Sequence, residues 1–242
     1  MPRTIAIGDI HGGLRALQQL LDRIGITPKD HLIFLGDYVD GWSESKDVVD
    51  YLFQLREYCT CTFIKGNHDA WAQEWLNTGY IEPFWKECGG WSTLESYRGV
   101  SKEAKQQHQA FFNALKPYYI DAQNRLFIHA GYSSDAGPSA ETFTSHSFWD
   151  RSLWRMSFTA HYTRLVYPDR LPKRLALFSE IYIGHTPTTH WGYYEPMHRA
   201  NVWNIDTGAA YTGALSAIDV DSHKIWQSDP VQQLYPDEFG RN

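Results

Sequence analysis

Thr4-Ile5-Ala6-Ile7-Gly8-Asp9-Ile10-His11-Gly12 is the stretch from which the rest of the chain is read. A short apolar run ends at Gly8, and Asp9 and His11 follow at i and i+2. In extended backbone such a pair shares one face, and a bend at Gly8 or Gly12 aims both side chains at one point in space. A carboxylate and an imidazole meeting there suit a metal ion. Taken alone, Asp-x-His between glycines fits an ordinary turn equally well, so the ligand reading depends on whether the chain supplies partners.

Outward from that stretch, Leu14, Leu17, Leu20, Leu21 and Ile24 recur at three- and four-residue intervals and predict a helix with one buried face, ending near Gly25. His31-Leu32-Ile33-Phe34-Leu35, closed by Gly36, is short and nearly continuous, as in a strand buried on both faces of a largely parallel sheet. A helix over about 45–58 follows, carried by Val48, Val49, Leu52, Phe53 and Leu55, and then a strand over 60–64 that stops at Lys65-Gly66. This β-α-β-α-β order, with right-handed crossovers, puts the C-terminal ends of the strands on one edge of the sheet. Each of those ends carries Gly with Asp or Asn.

Residues 70–115 read as mostly helical, with a break at Gly89-Gly90 and a clear helix over 102–115, forming an insertion over the site. Arg125-Leu126-Phe127-Ile128 is another apolar strand, ending in His129-Ala130-Gly131. Between 133 and 175 the pattern gives only a short helix over 147–156 and a loop holding Pro168 and Pro172. Strands over 177–183, 202–205, 214–220 and 224–227, the last two joined by Asp221-Ser222-His223, make the C-terminal part more antiparallel.

The 242 residues, 43% hydrophobic and 21% charged, describe a globular chain, expected to form a single domain over 1–242. No apolar run approaches the ~20 residues of a membrane span. Met1-Pro2-Arg3-Thr4 lacks the features of a secretory signal, so the expected location is cytoplasmic. A net charge of -6, with Lys and Arg dispersed, advertises no nucleic-acid surface. The three cysteines, Cys59, Cys61 and Cys88, suggest neither a disulfide framework nor a thiolate zinc site.

Collected, the strand-end clusters are Gly8-Asp9-Ile10-His11-Gly12, Gly36-Asp37-Tyr38-Val39-Asp40-Gly41, Gly66-Asn67-His68-Asp69, His129-Ala130-Gly131 and Gly184-His185-Thr186-Pro187. Singly, His129 fits a buried strand-end histidine, Asp37 and Asp40 fit turn formers, and Asn67 fits a tight turn that tolerates positive φ. Asp69 is expected to cap the following helix. Jointly, oxygen and imidazole donors without cysteine favour Mn, Fe or Zn, and their number exceeds what one ion needs. A carboxylate can bridge two ions about 3.5–4 Å apart, the separation at which a shared hydroxide attacks phosphorus in line.

These five blocks, in this order, resemble the PPP-type metallophosphatases within the calcineurin-like metallophosphoesterases, over about residues 5 to 187. Gly89-Gly90-Trp91-Ser92-Thr93-Leu94-Glu95-Ser96-Tyr97 is similar to a block of bacterial members that include diadenosine tetraphosphate hydrolases and protein phosphatases. The resemblance implies an α/β fold, a four-layer α/β/β/α sandwich with mixed sheets and a helical insertion over about 70–116. It implies that Asp9 and His11 bind a first metal, that Asp37 bridges, and that Asn67, His129 and His185 complete a second site. The two divalent ions would be Mn first, Fe or Zn otherwise. His68 would protonate the leaving oxygen, with Asp40 holding its imidazole and raising its pKa.

The activity so implied is phosphomonoester hydrolysis by a metal-bound hydroxide, with a phosphorylated protein or a small phosphoester as substrate. A dinucleoside polyphosphate hydrolase or phosphodiesterase is the rival, with Trp42 and the aromatic-rich insertion stacking a base. A non-catalytic metal-binding module is a third class, which needs no His68 and Asp40. One departure stands out: where many relatives place a phosphate-gripping arginine, this chain has Gly41 and then Trp42. Arg151, in Phe148-Trp149-Asp150-Arg151, resembles an arginine-bearing block of bacterial members and is the expected substitute, ahead of Arg155 and Arg98.

Overall fold

The computed structural model describes residues 2–241. Alternation along the central strands builds its layers, because successive side chains of a strand face opposite ways. In β1 (Thr4–Ile7) and β2 (His31–Phe34), Ile5, Ile7, Leu32 and Phe34 face one side. There they join Leu17, Leu20, Val48 and Leu52 from α1 (Leu14–Ile24) and α2 (Ser45–Tyr58) in one core. Ala6 and Ile33 face the other side and meet Phe127 and Tyr182 in a second core. Those two belong to β5 (Leu126–Ile128) and β6 (Ile181–Ile183), whose remaining residues turn away to pack on Leu153, Trp154 and Ala160 of α8 (Ser152–Val166) in a third. Two sheets between two helical faces give the four-layer α/β/β/α arrangement expected from the sequence.

Both sheets are mixed. The first runs β10 (Ile225–Pro230), β9 (Ala214–Asp219), β1, β2, β3 (Thr60–Phe63), with β1, β2 and β3 parallel and Thr4 opposite His31. The second runs β4 (Tyr118–Ile120), β5, β6, β8 (Val202–Asn204), β7 (Met197–Arg199), with β5, β6 and β8 parallel. Parallel strands therefore end on the same edge in each sheet, and the site lies at those ends. After β3 come α3 (Asn67–Thr78), α4 (Pro83–Trp85), α5 (Trp91–Ser96) and α6 (Lys102–Ala114). Gly89 breaks this series at φ 100, as its position in the sequence predicts. Among the described residues no helix is long and apolar enough to cross a membrane.

Two expectations change. The helix over 147–156 is two, α7 (His146–Trp149) and α8, because Asp150 accepts from Ser152 N at 3.0 Å and Leu153 N at 3.1 Å and so restarts the chain as a capped helix. It continues to Val166, and its buried stripe includes Ser157 and Ala160, too small and polar to give a periodic signal. The strand over 177–183 shrinks to Ile181–Ile183, with α9 (Lys173–Ala176) just before it. An unrecognised strand, β7, folds back antiparallel on β8 through Ala200 at φ 58; with the antiparallel pairs β9–β10 and β9–β1 this gives the C-terminal part its expected antiparallel character, β8 with β6 being the parallel pair.

Candidate metal centre

At the C-terminal ends of β1, β2 and β6 the chain turns sharply enough to place His11, Asp37 and His185 at φ 52, 54 and 67, with Asp40 at φ 73. Left-handed backbone is uncommon outside glycine, and each such residue costs about 1–3 kcal/mol that its surroundings must offset. At Asp37 the offset is visible. Its carbonyl accepts from Ile10 N at 3.0 Å and His11 N at 2.9 Å, while Asp69 accepts from Asp37 N at 2.8 Å and Tyr38 N at 2.9 Å. Asp69 also accepts from Gly66 N at 2.7 Å, so it caps α3 as expected and in addition fixes the Asp37 loop.

The donor atoms converge. Asp37 Oδ2 lies 3.6 Å from His11 Nε2 and 3.4 Å from His129 Nε2, between the two rings. Two three-residue groups, His11 with Asp37 and His68, and Asp37 with His129 and His185, each have donor atoms within 4.8 Å of one another and share Asp37. Asn67 Oδ1 is 3.1 Å from His129 Nε2 and 2.9 Å from His185 Nδ1. Backbone carbonyls set two of the rings: His129 Nδ1 faces Leu35 O at 2.8 Å and His11 Nδ1 faces Asp40 O at 3.0 Å, which leaves each Nε2 turned inward. Asn67 begins α3 and is not in left-handed backbone, so the tight-turn reading of it fails.

Two buried atoms in this cluster have no hydrogen-bond partner, Asp9 Oδ1 and His185 Nε2. Buried polar atoms are ordinarily paired, so these two point to a missing partner of opposite character. Asp9 Oδ2 accepts from His185 N at 2.9 Å, and a Cβ on Gly184 would be driven into the Asp9 carboxylate. Charge tells the same story. Burial and the facing Asp206 push Asp9 well above the carboxylate range, and burial pushes Asp206 up to about 6. Burial pulls His129 down, but the Asp37 and Asp9 carboxylates outweigh it and raise it to about 10. Carboxylates this crowded and this dry fit cations among them.

His68 and Asp40 form a buried pair, Nδ1 to Oδ2 at 2.6 Å. Trp85 Nε1 donates to the same oxygen at 2.6 Å and Thr93 Oγ1 to the other at 2.6 Å. The expectation that Asp40 raises the His68 pKa is not met: burial pulls His68 down to about 3 and pushes Asp40 up to about 7. Desolvation of both partners outweighs their mutual attraction. His68 also belongs by position to the first donor group, whereas Asp9 stands outside that triplet.

His11, Asp37, Asn67, His68, His185 and Arg151 line one cavity of about 230 Å³. Arg151 is an exposed residue whose Nη1 donates to Thr186 Oγ1 at 3.2 Å. Arg98 instead pairs with Glu95 on the surface, 74% exposed, and Arg155 does not reach the cavity. Residues missed in the sequence also contribute: Asp206, His190, Tyr211 and Arg241 line the cavity, and Trp85 and Thr93 hold Asp40. Asp206 was findable, since Asn204-Ile205-Asp206-Thr207-Gly208 repeats the pattern of a strand ending in Asp and Gly. Trp42 is fully buried, stacked on Tyr235 at 5.2 Å, with Nε1 donating to Ala209 O at 2.7 Å, and stacks no base.

Residues 2–210 match the family model described as calcineurin-like phosphoesterase. The chain belongs to that family. It is 40% identical over 153 residues to serine/threonine-protein phosphatase 2 of Escherichia coli (strain K12), covering 61% of this chain and 65% of that protein. It is 26% identical to the asymmetrical bis(5'-nucleosyl)-tetraphosphatase PrpE of Halalkalibacterium halodurans, covering 96% of each. Alignments with the symmetrical bis(5'-nucleosyl)-tetraphosphatases of two Pseudomonas fluorescens strains cover 23% and 42% of those proteins. A protein serine/threonine phosphatase from Saccharomyces cerevisiae has a similar fold, with a TM-score of 0.63, 13% identity, and coverage of 94% of this chain and 79% of that one. The chain thus joins a calcineurin-like phosphoesterase domain to a candidate dinuclear metal site.

Proposed function

We propose that this protein is a phosphomonoesterase in which Asp9, His11, Asp37, Asn67, His129 and His185 hold two divalent cations and His68, steered by Asp40, protonates the leaving oxygen. The observation that carries the reading is the buried His68–Asp40 pair beside two donor groups that share Asp37. Metal storage needs the donor groups alone. Divalent ions, when bound, supply positive charge to phosphate oxygens and acidity to water. Imidazole and oxygen donors, with no thiolate in either group, favour Mn, and admit Fe or Zn.

The chain's own residues do the rest. Arg151 offers a fork of donors to the phosphoryl oxygens. Asp40 accepts the Nδ1 proton of His68, which fixes the tautomer and leaves Nε2 as the atom that meets the leaving group. A phosphate dianion in the cavity adds the negative charge that raises the affinity of His68 for a proton against its burial.

A phosphomonoester, in a protein or a small molecule, suits a cavity of about 230 Å³. One observation favours the dinucleoside polyphosphate reading. Trp71 packs against Trp149 at 5.2 Å and Phe84 at 6.1 Å, and Phe84 and Trp149 are 57% and 41% exposed, a set of aromatic faces beside the catalytic pair that can take a nucleobase. Rates on a phosphoserine peptide, diadenosine tetraphosphate and bis-p-nitrophenyl phosphate, with Mn and with chelator, separate the readings. Fastest turnover of the peptide supports the first, fastest turnover of the dinucleotide the second, and no metal-dependent turnover of any of the three excludes both.

A further inference from the structure

Position 41 looks deficient in the sequence, and the structure fills it from elsewhere. Gly41 N donates to Gly89 O at 3.3 Å, so two glycines, at φ 115 and φ 100, lie against each other. A Cβ on Gly41 would sit 3.2 Å from Arg241 Cγ, and one on Gly89 would sit 2.9 Å from the same atom. The stem of Arg241 thus runs across both glycines, through the space a side chain at 41 would need. Its head enters the cavity that holds His11, Asp37, His68 and Arg151. There it lies 5.4 Å over the Tyr211 ring, and its Nε is buried with no hydrogen-bond partner.

The segment that delivers it is bolted down. Trp42 stacks on Tyr235, Glu238 accepts from Ser43 N at 3.0 Å and Ser43 Oγ at 2.7 Å, and Arg241 N donates to Ala210 O at 2.9 Å. Gly240 at φ 58 passes so close to the Trp42 ring and Ala210 O that a Cβ would collide with both. Trp42 and Ser43 follow Gly41 directly, so the block that lacks the arginine carries the anchors for a distant one.

We propose that Arg241 grips the substrate phosphate in place of the arginine absent at position 41, working with Arg151, which lines the same cavity. The proposal rests on the phosphoesterase reading for its substrate but predicts anion binding whether or not turnover is found. A guanidinium with an unpaired buried N–H, beside a donor cluster and in the same cavity as a second arginine, is poised to take two oxygens of a phosphate.

The test is calorimetric titration of inorganic phosphate into the Mn-loaded protein, comparing the wild type with Arg241→Gln, Arg241→Lys and the surface control Arg98→Gln. Loss of one charge-assisted contact predicts about 10- to 100-fold weaker phosphate binding for Arg241→Gln. Arg241→Lys, which keeps the charge but loses the fork, falls between, and Arg98→Gln matches the wild type. Mn content and thermal midpoint stay unchanged throughout. With p-nitrophenyl phosphate, KM for Arg241→Gln rises by a comparable factor, and added methylguanidinium restores part of kcat/KM. Wild-type phosphate affinity in Arg241→Gln, or loss of Mn along with phosphate, overturns the assignment. An absence of turnover in the wild type instead sinks the phosphoesterase reading, with the phosphate titration still deciding on Arg241.

Discussion

Replacing Asp40 by Asn removes a charge and almost nothing else. The amide oxygen can take the place of Oδ2, keeping the contacts from His68 Nδ1 and Trp85 Nε1, both 2.6 Å in the wild type. Its NH2 group then faces Thr93 Oγ1, whose hydroxyl has Ser45 Oγ at 3.0 Å as an alternative acceptor. The ring of His68 therefore stays in place and Nδ1–H keeps an acceptor, but the imidazolium loses its counter-charge. A hydrogen bond to a charged group contributes about 1.5–3 kcal/mol against about 1 for a neutral one. The difference, about 0.5–2 kcal/mol, corresponds to roughly 2- to 30-fold in the rate of a step that needs protonated His68. The assay is kcat at saturating Mn on two substrates. A phosphoserine peptide, whose alkoxide must be protonated to leave, should slow by that factor. p-Nitrophenyl phosphate, whose leaving group departs unprotonated, should slow far less. Equal slowing on both substrates, or a fall in bound metal, would refute the assignment of His68 as acid and Asp40 as its support.

Other perturbations probe separate parts of the structure. Gly184→Ala drives a methyl group into the Asp9 carboxylate, so it should weaken binding of one Mn per chain in an equilibrium titration while circular dichroism stays native; full retention of both ions would show that Asp9 is no ligand. Trp149→Ala opens the aromatic mouth and should reduce kcat/KM for diadenosine tetraphosphate or aryl phosphates more than for phosphoserine, by about 2- to 10-fold from the ~0.5–1.5 kcal/mol of an aromatic pair. Away from the site, Asp30 accepts from Arg3 Nη2 at 2.6 Å and from Thr27 N at 2.7 Å. These contacts overcome its burial and hold it at about 2, below the usual 3.8. The stabilisation is present above the unfolded pKa and lost as pH falls through the folded one. With Arg3 27% exposed and screened by solvent, it comes to about 1–2 kcal/mol. Urea denaturation should therefore find Asp30→Asn less stable at neutral pH by that amount, with the gap closing from about pH 4 down to about pH 2; a gap independent of pH would contradict this.

The parts of the fold that sequence reveals are those where one residue period dominates. Leu17, Leu20, Leu21 and Ile24 mark α1 because a single face is buried, and the strand ends with Asp37, Asn67, His129 and His185 were legible because glycine and a donor recur at every one. In α8, Ser157 and Ala160 sit in the buried stripe and erase the period, and β7, at three residues, is too short to have one. Arg241 was illegible for another reason. Its place in the cavity depends on Trp42 meeting Tyr235 and on Glu238 meeting Ser43, contacts between segments about 190 residues apart that no local pattern encodes. The proton affinity of His68 is illegible for the same kind of reason: the depth at which His68 and Asp40 are buried governs it, and sequence neighbours do not encode that depth.

The central claim is that Asp37 joins two cation sites on which phosphoester hydrolysis depends. Its most direct test is Mn bound per chain, measured by metal analysis after equilibrium dialysis, in the wild type and in Asp37→Asn, with p-nitrophenyl phosphate hydrolysis followed on the same samples. The account predicts two ions and chelator-sensitive hydrolysis in the wild type, with fewer ions and abolished hydrolysis in the variant. One ion in the wild type, or hydrolysis that survives in Asp37→Asn with Mn supplied, would contradict it.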